Sequence, residues 1–166
     1  MSDELKSLYQ EIILDHYRTP RNLEALEGAR HATGHNPLCG DRVEVFLDIE
    51  DDTVQRATFR GAGCAISMAA ASLMTEALKG KSLAEAREIS THFRRMVRGD
   101  DEVGDHDLGK LAALAGVRDI PIRVKCATLA WHTFEAALAE APEPVSTETP
   151  STETPNTEAS STLKGD

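Results

Sequence analysis

Aromatic side chains are scarce in this sequence, at 4% of 166 residues. A folded core must therefore come mostly from aliphatics and alanine, which the 40% hydrophobic content is enough to supply. Basic residues are also in deficit. The formal net charge is −10 and the pI is near 5.0, which argues against nucleic acid or an anionic membrane as a partner. An acidic protein can still dock on a locally basic protein surface. No apolar run is long enough to span a bilayer. The N-terminal stretch "MSDELKSLYQEIILDHYRTPRN" has neither the apolar block nor the cleavage site of a secretory signal, so a cytoplasmic location is the expectation. Cysteine is rare too. Cys39, Cys64 and Cys126 are odd in number and too widely spaced for a disulfide framework; in a reducing compartment they read as metal-binding, reactive or simply buried.

What is present has a clear order. The length suits one domain, or one domain with an appendage. Leu5, Leu8, Ile12 and Ile13 fall near helical spacing and predict a helix from Ser2 to about His16, stopped by Pro20. Residues 22–40 are polar, with one short strand around His31–His35. "RVEVFLDIE" (Arg42–Glu50) puts Val43, Val45 and Leu47 on one face, and "TVQRATFRG" (Thr53–Gly61) is its hairpin partner across Asp51 and Asp52. Gly61 and Gly63 break the strand. A helix dense in small residues, Cys64–Lys79, ends at Gly80, and Ser82 with Glu85 forms a capping box for a helix running to about Arg98. An acidic, glycine-punctuated loop and a short helix, "LGKLAALAG", precede a closing segment in which Ala127–Glu140 reads as helix. One apolar face per strand, followed by amphipathic helices, predicts an α+β fold: a small antiparallel sheet around the Arg42–Gly61 hairpin, with helices packed on one face.

From Ala141 the composition shifts. "PEPVSTETPSTETPNTEASSTLKGD" repeats STETP and has almost no apolar side chain, so it cannot offset its own ordering entropy. Residues 1–140 are expected to form the domain and 141–166 a disordered acidic tail rich in Ser, Thr and Pro.

Each cysteine falls at a segment junction. Cys39 lies between Pro37 and Gly40-Asp41 before a strand, and Cys64 sits at or near a helix N-terminus, where the dipole favours a thiolate. Cys126 precedes a helical run. Taken singly, each is more often a small buried hydrophobe than a site, and the spacing is unlike the compact CxxC pairs of zinc fingers. Three at junctions, one sharing its loop with Asp41, tilt the balance toward a site.

Four motifs carry a resemblance. "DHYRTPRN" (Asp15–Asn22), "NPLCGD" (Asn36–Asp41), "GAGCAIS" (Gly61–Ser67) and "RVKCATLAW" (Arg123–Trp131) closely resemble, in order, the U-type iron–sulfur cluster assembly proteins of the IscU/SufU/NifU-N-terminal group. The likeness covers nearly all the chain to about Glu140. Lys125 stands where IscU-type scaffolds carry a histidine, and Arg94–Gly116 looks like an extra segment, as in the SufU branch. The resemblance implies a SufE/NifU-like, IscU-like fold with its metal site at one end, where Cys39, Asp41, Cys64 and Cys126 bind one Zn²⁺. It implies a zinc-dependent sulfurtransferase of the SUF system, with Cys39 as acceptor of persulfide sulfur from a SufS-type cysteine desulfurase and a SUF scaffold complex downstream. The alternative is a scaffold that assembles and transfers a [2Fe–2S] cluster, since thiolates suit both metals. A purely structural zinc is a third reading. An aspartate among thiolates makes such a site easier to open than Cys₄. Arg42 and Arg123 are candidates to pair with Asp41, and Lys125 to steer a persulfide. His31 and His35 read as solvent-facing, His132 as off the Cys126 face, His16 and Tyr17 as packing or docking residues, and Trp131 as core.

Overall fold

The computed structural model describes residues 2–100 and 107–148. In chain order these form α1 (Asp3–Arg18), β1 (Arg30–Asn36), β2 (Asp41–Glu50), β3 (Thr53–Ala62), α2 (Ala65–Leu78), α3 (Leu83–Arg98), a 3-10 segment (Gly109–Asp119) and α4 (Pro121–Leu138). The strands make an antiparallel meander in the order β1-β2-β3. Asp51 and Asp52 both adopt positive φ, 52° and 58°, as a tight two-residue hairpin turn demands. Alternation sends Val43, Val45 and Leu47 inward from β2, with Ala57 and Phe59 from β3 beside them. α4 packs on β1 and β2, α2 packs on β3, and α1 and α3 lie against that helical layer.

Close approach of α4 to β1 depends on Gly34. A methyl group there would overlap Thr133 Oγ1 and lie 3.0 Å from Leu129 Cδ1. Trp131 on α4 is fully buried, stacked on Phe93 at 5.2 Å and edge-on to Phe134 at 6.1 Å. Phe93, Trp131 and Phe134 thus form one aromatic cluster where α3 and α4 meet the core. Ser82 caps α3 with the expected reciprocal bonds to Glu85, and Gly99 ends it in the left-handed region at φ 85°. His16 is buried between α1 and α2. Ser72 Oγ accepts the Arg21 N–H at 2.9 Å and lies 2.7 Å from His16 Nδ1. The other ring nitrogen, Nε2, faces Glu76 at 3.6 Å.

Three sequence expectations shift. The closing helix begins at Pro121, not Ala127, because Pro121 occupies its first turn, where a missing N–H costs nothing. The β-branched "IPIRV" run disguises that start. The short helix after the acidic loop is a 3-10 segment; of that loop, residues 101–106 lie outside the described residues. The segment expected to leave the domain at Ala141 stays on it through Glu148. His35 N–H donates to Val145 O at 2.8 Å and Val145 N–H to Thr33 O at 2.9 Å, so Val145 extends the sheet beside β1. An unpaired strand edge supplies the backbone partners that an apolar-poor segment cannot supply for itself. Residues 149–166 lie outside the described residues. No helix among the described residues is long and apolar enough to cross a membrane.

Candidate metal centre

The β1–β2 turn, 37–40, carries Cys39. Gly40 closes it at φ 81°, with its N–H donated to Asn36 O at 2.8 Å. Cys39 is half-buried. Asp41 opens β2 and shares the parity of Val43, Val45 and Leu47, so its carboxylate lies on the covered face and is wholly buried. Cys64 is the N-cap of α2, with its sulfur accepting the Ser67 N–H at 3.4 Å. Cys126 lies in the second turn of α4 and is buried, not at a junction as the sequence suggested.

These residues converge. Cys39, Asp41 and Cys126 each offer a ligand atom within 4.8 Å of the others. Cys64 donates its N–H to Asp41 Oδ1 at 3.0 Å, and its sulfur stands 3.9 Å from Oδ2. Cys64 and Cys126 are themselves hydrogen-bonded through their side chains. Gly63 leaves the room this needs: a Cβ there would overlap Asp41 Oδ1 and sit 3.0 Å from its Cγ. A tetrahedral zinc with Zn–S bonds near 2.3 Å separates its donors by about 3.5–3.8 Å. Three sulfurs and one carboxylate suit such an ion in type; Cys39, Asp41 and Cys126 lie mutually within 4.8 Å, and Cys64 stands outside that group beside Asp41.

The thiols are not equivalent. The Cys126 thiol donates to the Cys64 sulfur, and the Ser67 and Ile66 N–H groups at the start of α2 add to that pull. Cys64 comes down to about 6 despite its burial. Cys126, bonded to that sulfur and desolvated, is pushed up. Burial, reinforced by the Asp41 and Glu148 carboxylates, also pushes Cys39 up. Three adjacent sulfurs beside a buried carboxylate repel one another's charge, and a divalent cation is the natural neutraliser.

Other candidates fall outside this group. His31 stacks on Phe46 at 5.9 Å at the far end of β1. His35 has the opposite parity to buried Gly34 and Asn36, so it faces away from the covered side. Arg42 is exposed, and Arg123 Nη1 lies 3.9 Å from Cys126 Sγ rather than paired with Asp41. His132 is buried along α4, pushed down to about 4 by desolvation and by Arg94 and Arg98. Tyr17 is exposed. Lys125 sits on α4, with its ammonium 3.1 Å from Glu148. Two contributors escaped sequence reasoning. Buried Asn36 grips the returning chain, accepting from Ser146 Oγ at 2.8 Å and Thr147 N–H at 2.9 Å and donating to Thr147 Oγ1 at 2.8 Å. Glu148 accepts the N–H groups of Leu38 and Cys39, each at 3.0 Å. Only the composition shift at 141 was visible for Glu148, and it pointed the other way.

Comparison with known proteins gives a consistent picture. The family described as NifU-like N terminal domain matches residues 8–141. The chain is 43% identical over 136 residues to the zinc-dependent sulfurtransferase SufU of Bacillus subtilis, covering 82% of this chain and 92% of that one. It is 36% identical over 135 residues to the iron–sulfur cluster assembly scaffold protein IscU of Streptococcus pyogenes, covering 81% and 85%. A crystal structure from Fervidobacterium islandicum, named as a candidate iron–sulfur cluster assembly scaffold protein for the SUF system, superposes with a TM-score of 0.73. It is 34% identical, with 80% of this chain and 97% of that chain covered.

Proposed function

The chain belongs to the NifU-like N-terminal domain family, and from that premise we propose that it is a zinc-dependent sulfur acceptor of the SUF system, taking persulfide sulfur from a cysteine desulfurase in the cytoplasm. The observation that carries this reading is the close grouping of Cys39, Asp41 and Cys126, with Cys64 joined to it through Asp41, from three separate places in the chain. When bound, zinc supplies the positive charge that keeps the sulfurs deprotonated near neutral pH. Everything else is done by the protein's own groups. Cys126 is locked in a buried helix and Cys64 caps another, so neither can travel without unfolding an element. Cys39 is on a glycine-closed turn and can. Its thiolate attacks the terminal sulfur of a cysteine persulfide on the partner. The partner's S–S bond breaks, its cysteine leaves as a thiolate, and Cys39 keeps the transferred sulfur as a persulfide. Asp41, Cys64 and Cys126 hold the rest of the centre meanwhile.

The scaffold reading draws on the IscU relatives and on thiolates suiting an iron–sulfur cluster. Against it, the converging group contains no histidine among the described residues, and the place of that ligand in IscU-type scaffolds is held by Lys125. Metal analysis of protein purified with and without oxygen, combined with desulfurase turnover and persulfide mapping, separates the two. Bound zinc, faster turnover and sulfur on Cys39, all but metal lost in Cys39→Ala, support the acceptor. An iron-loaded protein that passes its cluster to an apo-acceptor, or unchanged turnover in Cys39→Ala, overturns it.

A further inference from the structure

Glu148 is in an unusual position for an acid. Its side chain is only 2% exposed, in a chain of net charge −10, and its charge is felt by the Cys39 sulfur. Burial of a carboxylate is costly unless donors surround it. Here three do: the Leu38 and Cys39 N–H groups at 3.0 Å each and the Lys125 ammonium at 3.1 Å. Burial alone would raise this carboxyl, yet the three donors bring it below its ordinary value. Two of them belong to the turn that holds Cys39, and the third stands on α4 one residue before Cys126. Glu148 is carried there by the strap 141–148, fastened to β1 through Val145 and to Asn36 through Ser146 and Thr147, with Thr147 Oγ1 also donating to Lys125 O at 2.8 Å.

We propose that the strap is a latch on the acceptor turn, with Glu148 as a positioning residue that holds the Cys39 loop down against Lys125 and must let go before Cys39 can move out to meet a sulfur donor. The functional meaning of that movement rests on the acceptor role proposed for Cys39. The latch does two things at once. It fixes the backbone on which Cys39 swings, and it neutralises the one ammonium facing that sulfur from α4. Releasing it frees the turn and unmasks Lys125 in the same motion, so the cation becomes available to a persulfide as the loop opens. A partner that docks on this end must displace the strap or draw the turn out from under it. Leu38, next to Cys39 and 86% exposed, is the handle by which that turn can be taken.

The test uses the full-length zinc-loaded protein and reads each cysteine separately. Iodoacetamide labelling is followed by mass spectrometry at Cys39, Cys64 and Cys126, alongside zinc release to a chelator. Glu148→Ala removes the latch contact. Val145→Pro deletes the N–H bonded to Thr33 and loosens the strap while keeping Glu148. Both are expected to raise Cys39 labelling about tenfold or more, with Cys64 and Cys126 within about twofold and zinc release faster. Cys39 labelling unchanged within about twofold in both variants overturns the latch. So does a parallel rise at all three cysteines, which would mark general loosening of the fold. Selective Cys39 labelling in a protein that takes no sulfur from a desulfurase leaves the latch standing and removes the acceptor reading. Normal sulfur uptake with unchanged labelling does the reverse.

Discussion

Gly63 offers a sharp probe of how the centre is held together. In Gly63→Ala the new methyl group overlaps Asp41 Oδ1 and lies 3.0 Å from Asp41 Cγ and 3.2 Å from its Cα. The Cα belongs to β2, which is tied to β1 and β3 along its length, so the strand has little freedom to retreat. Relief must come from the carboxylate. Turning it breaks the 3.0 Å bond from the Cys64 N–H and carries Oδ2 away from the Cys64 sulfur. Overpacking in a tight interior costs roughly 1–3 kcal/mol, and disturbing the groups that orient a metal's ligands typically costs about 10–100-fold in affinity. Zinc affinity should therefore fall by roughly 1.4–2.8 kcal/mol in free energy, measured by competition with a chromogenic chelator. Thermal stabilisation by a fixed zinc excess should shrink with it. Gly116→Ala is the control, because a methyl there meets nothing within 4 Å. Zinc affinity in Gly63→Ala within threefold of the parent would refute the idea that Asp41 is steered into the centre through the gap at this glycine.

Two further outcomes follow from packing and protonation. His132, pushed down to about 4 by burial and by Arg94 and Arg98, stays neutral in the fold while the unfolded chain takes up a proton below the ordinary histidine value of 6.5. Its contribution is complete above pH 6.5 and lost as pH falls toward 4, a decline of roughly 3 kcal/mol. Urea titrations of metal-free protein, with Glu135 and both arginines left in place, should show that pH slope flattened in His132→Gln; an identical slope would refute it. Gly34→Ala should destabilise the protein by about 1–3 kcal/mol, because its methyl collides with Thr133 Oγ1. An unchanged melting temperature would show that α4 rides higher on β1 than described.

Local chemistry was readable from the sequence; long-range returns of the chain were not. The β2–β3 hairpin, with Asp51 and Asp52 at its turn, and the Ser82–Glu85 box depend on residues a few positions apart, and both stand as expected. Asp41, read as a loop residue before a strand starting at Arg42, instead opens β2 on the face of Val43 and Val45. Cys126 looked like a junction residue because "IPIRV" has strand-like composition, while Pro121 at the first turn was starting a helix. The strap was invisible for a different reason. A segment with so few apolar side chains has no core of its own, and its order is borrowed from the β1 edge and from Asn36, more than a hundred positions earlier. Composition measures what a segment can do alone, and not what a distant neighbour can do for it.

The donors proposed for the centre also arrive at very different moments in synthesis. A growing chain can set Cys39, Asp41 and Cys64 beside one another once the meander and the first turn of α2 have formed. Cys126 joins only when α4 docks across the finished sheet. Until then the proposed site lacks its one fully buried sulfur. Zinc binding at the proposed site would then seal completed folding instead of seeding it, and a chain halted before α4 should hold no zinc.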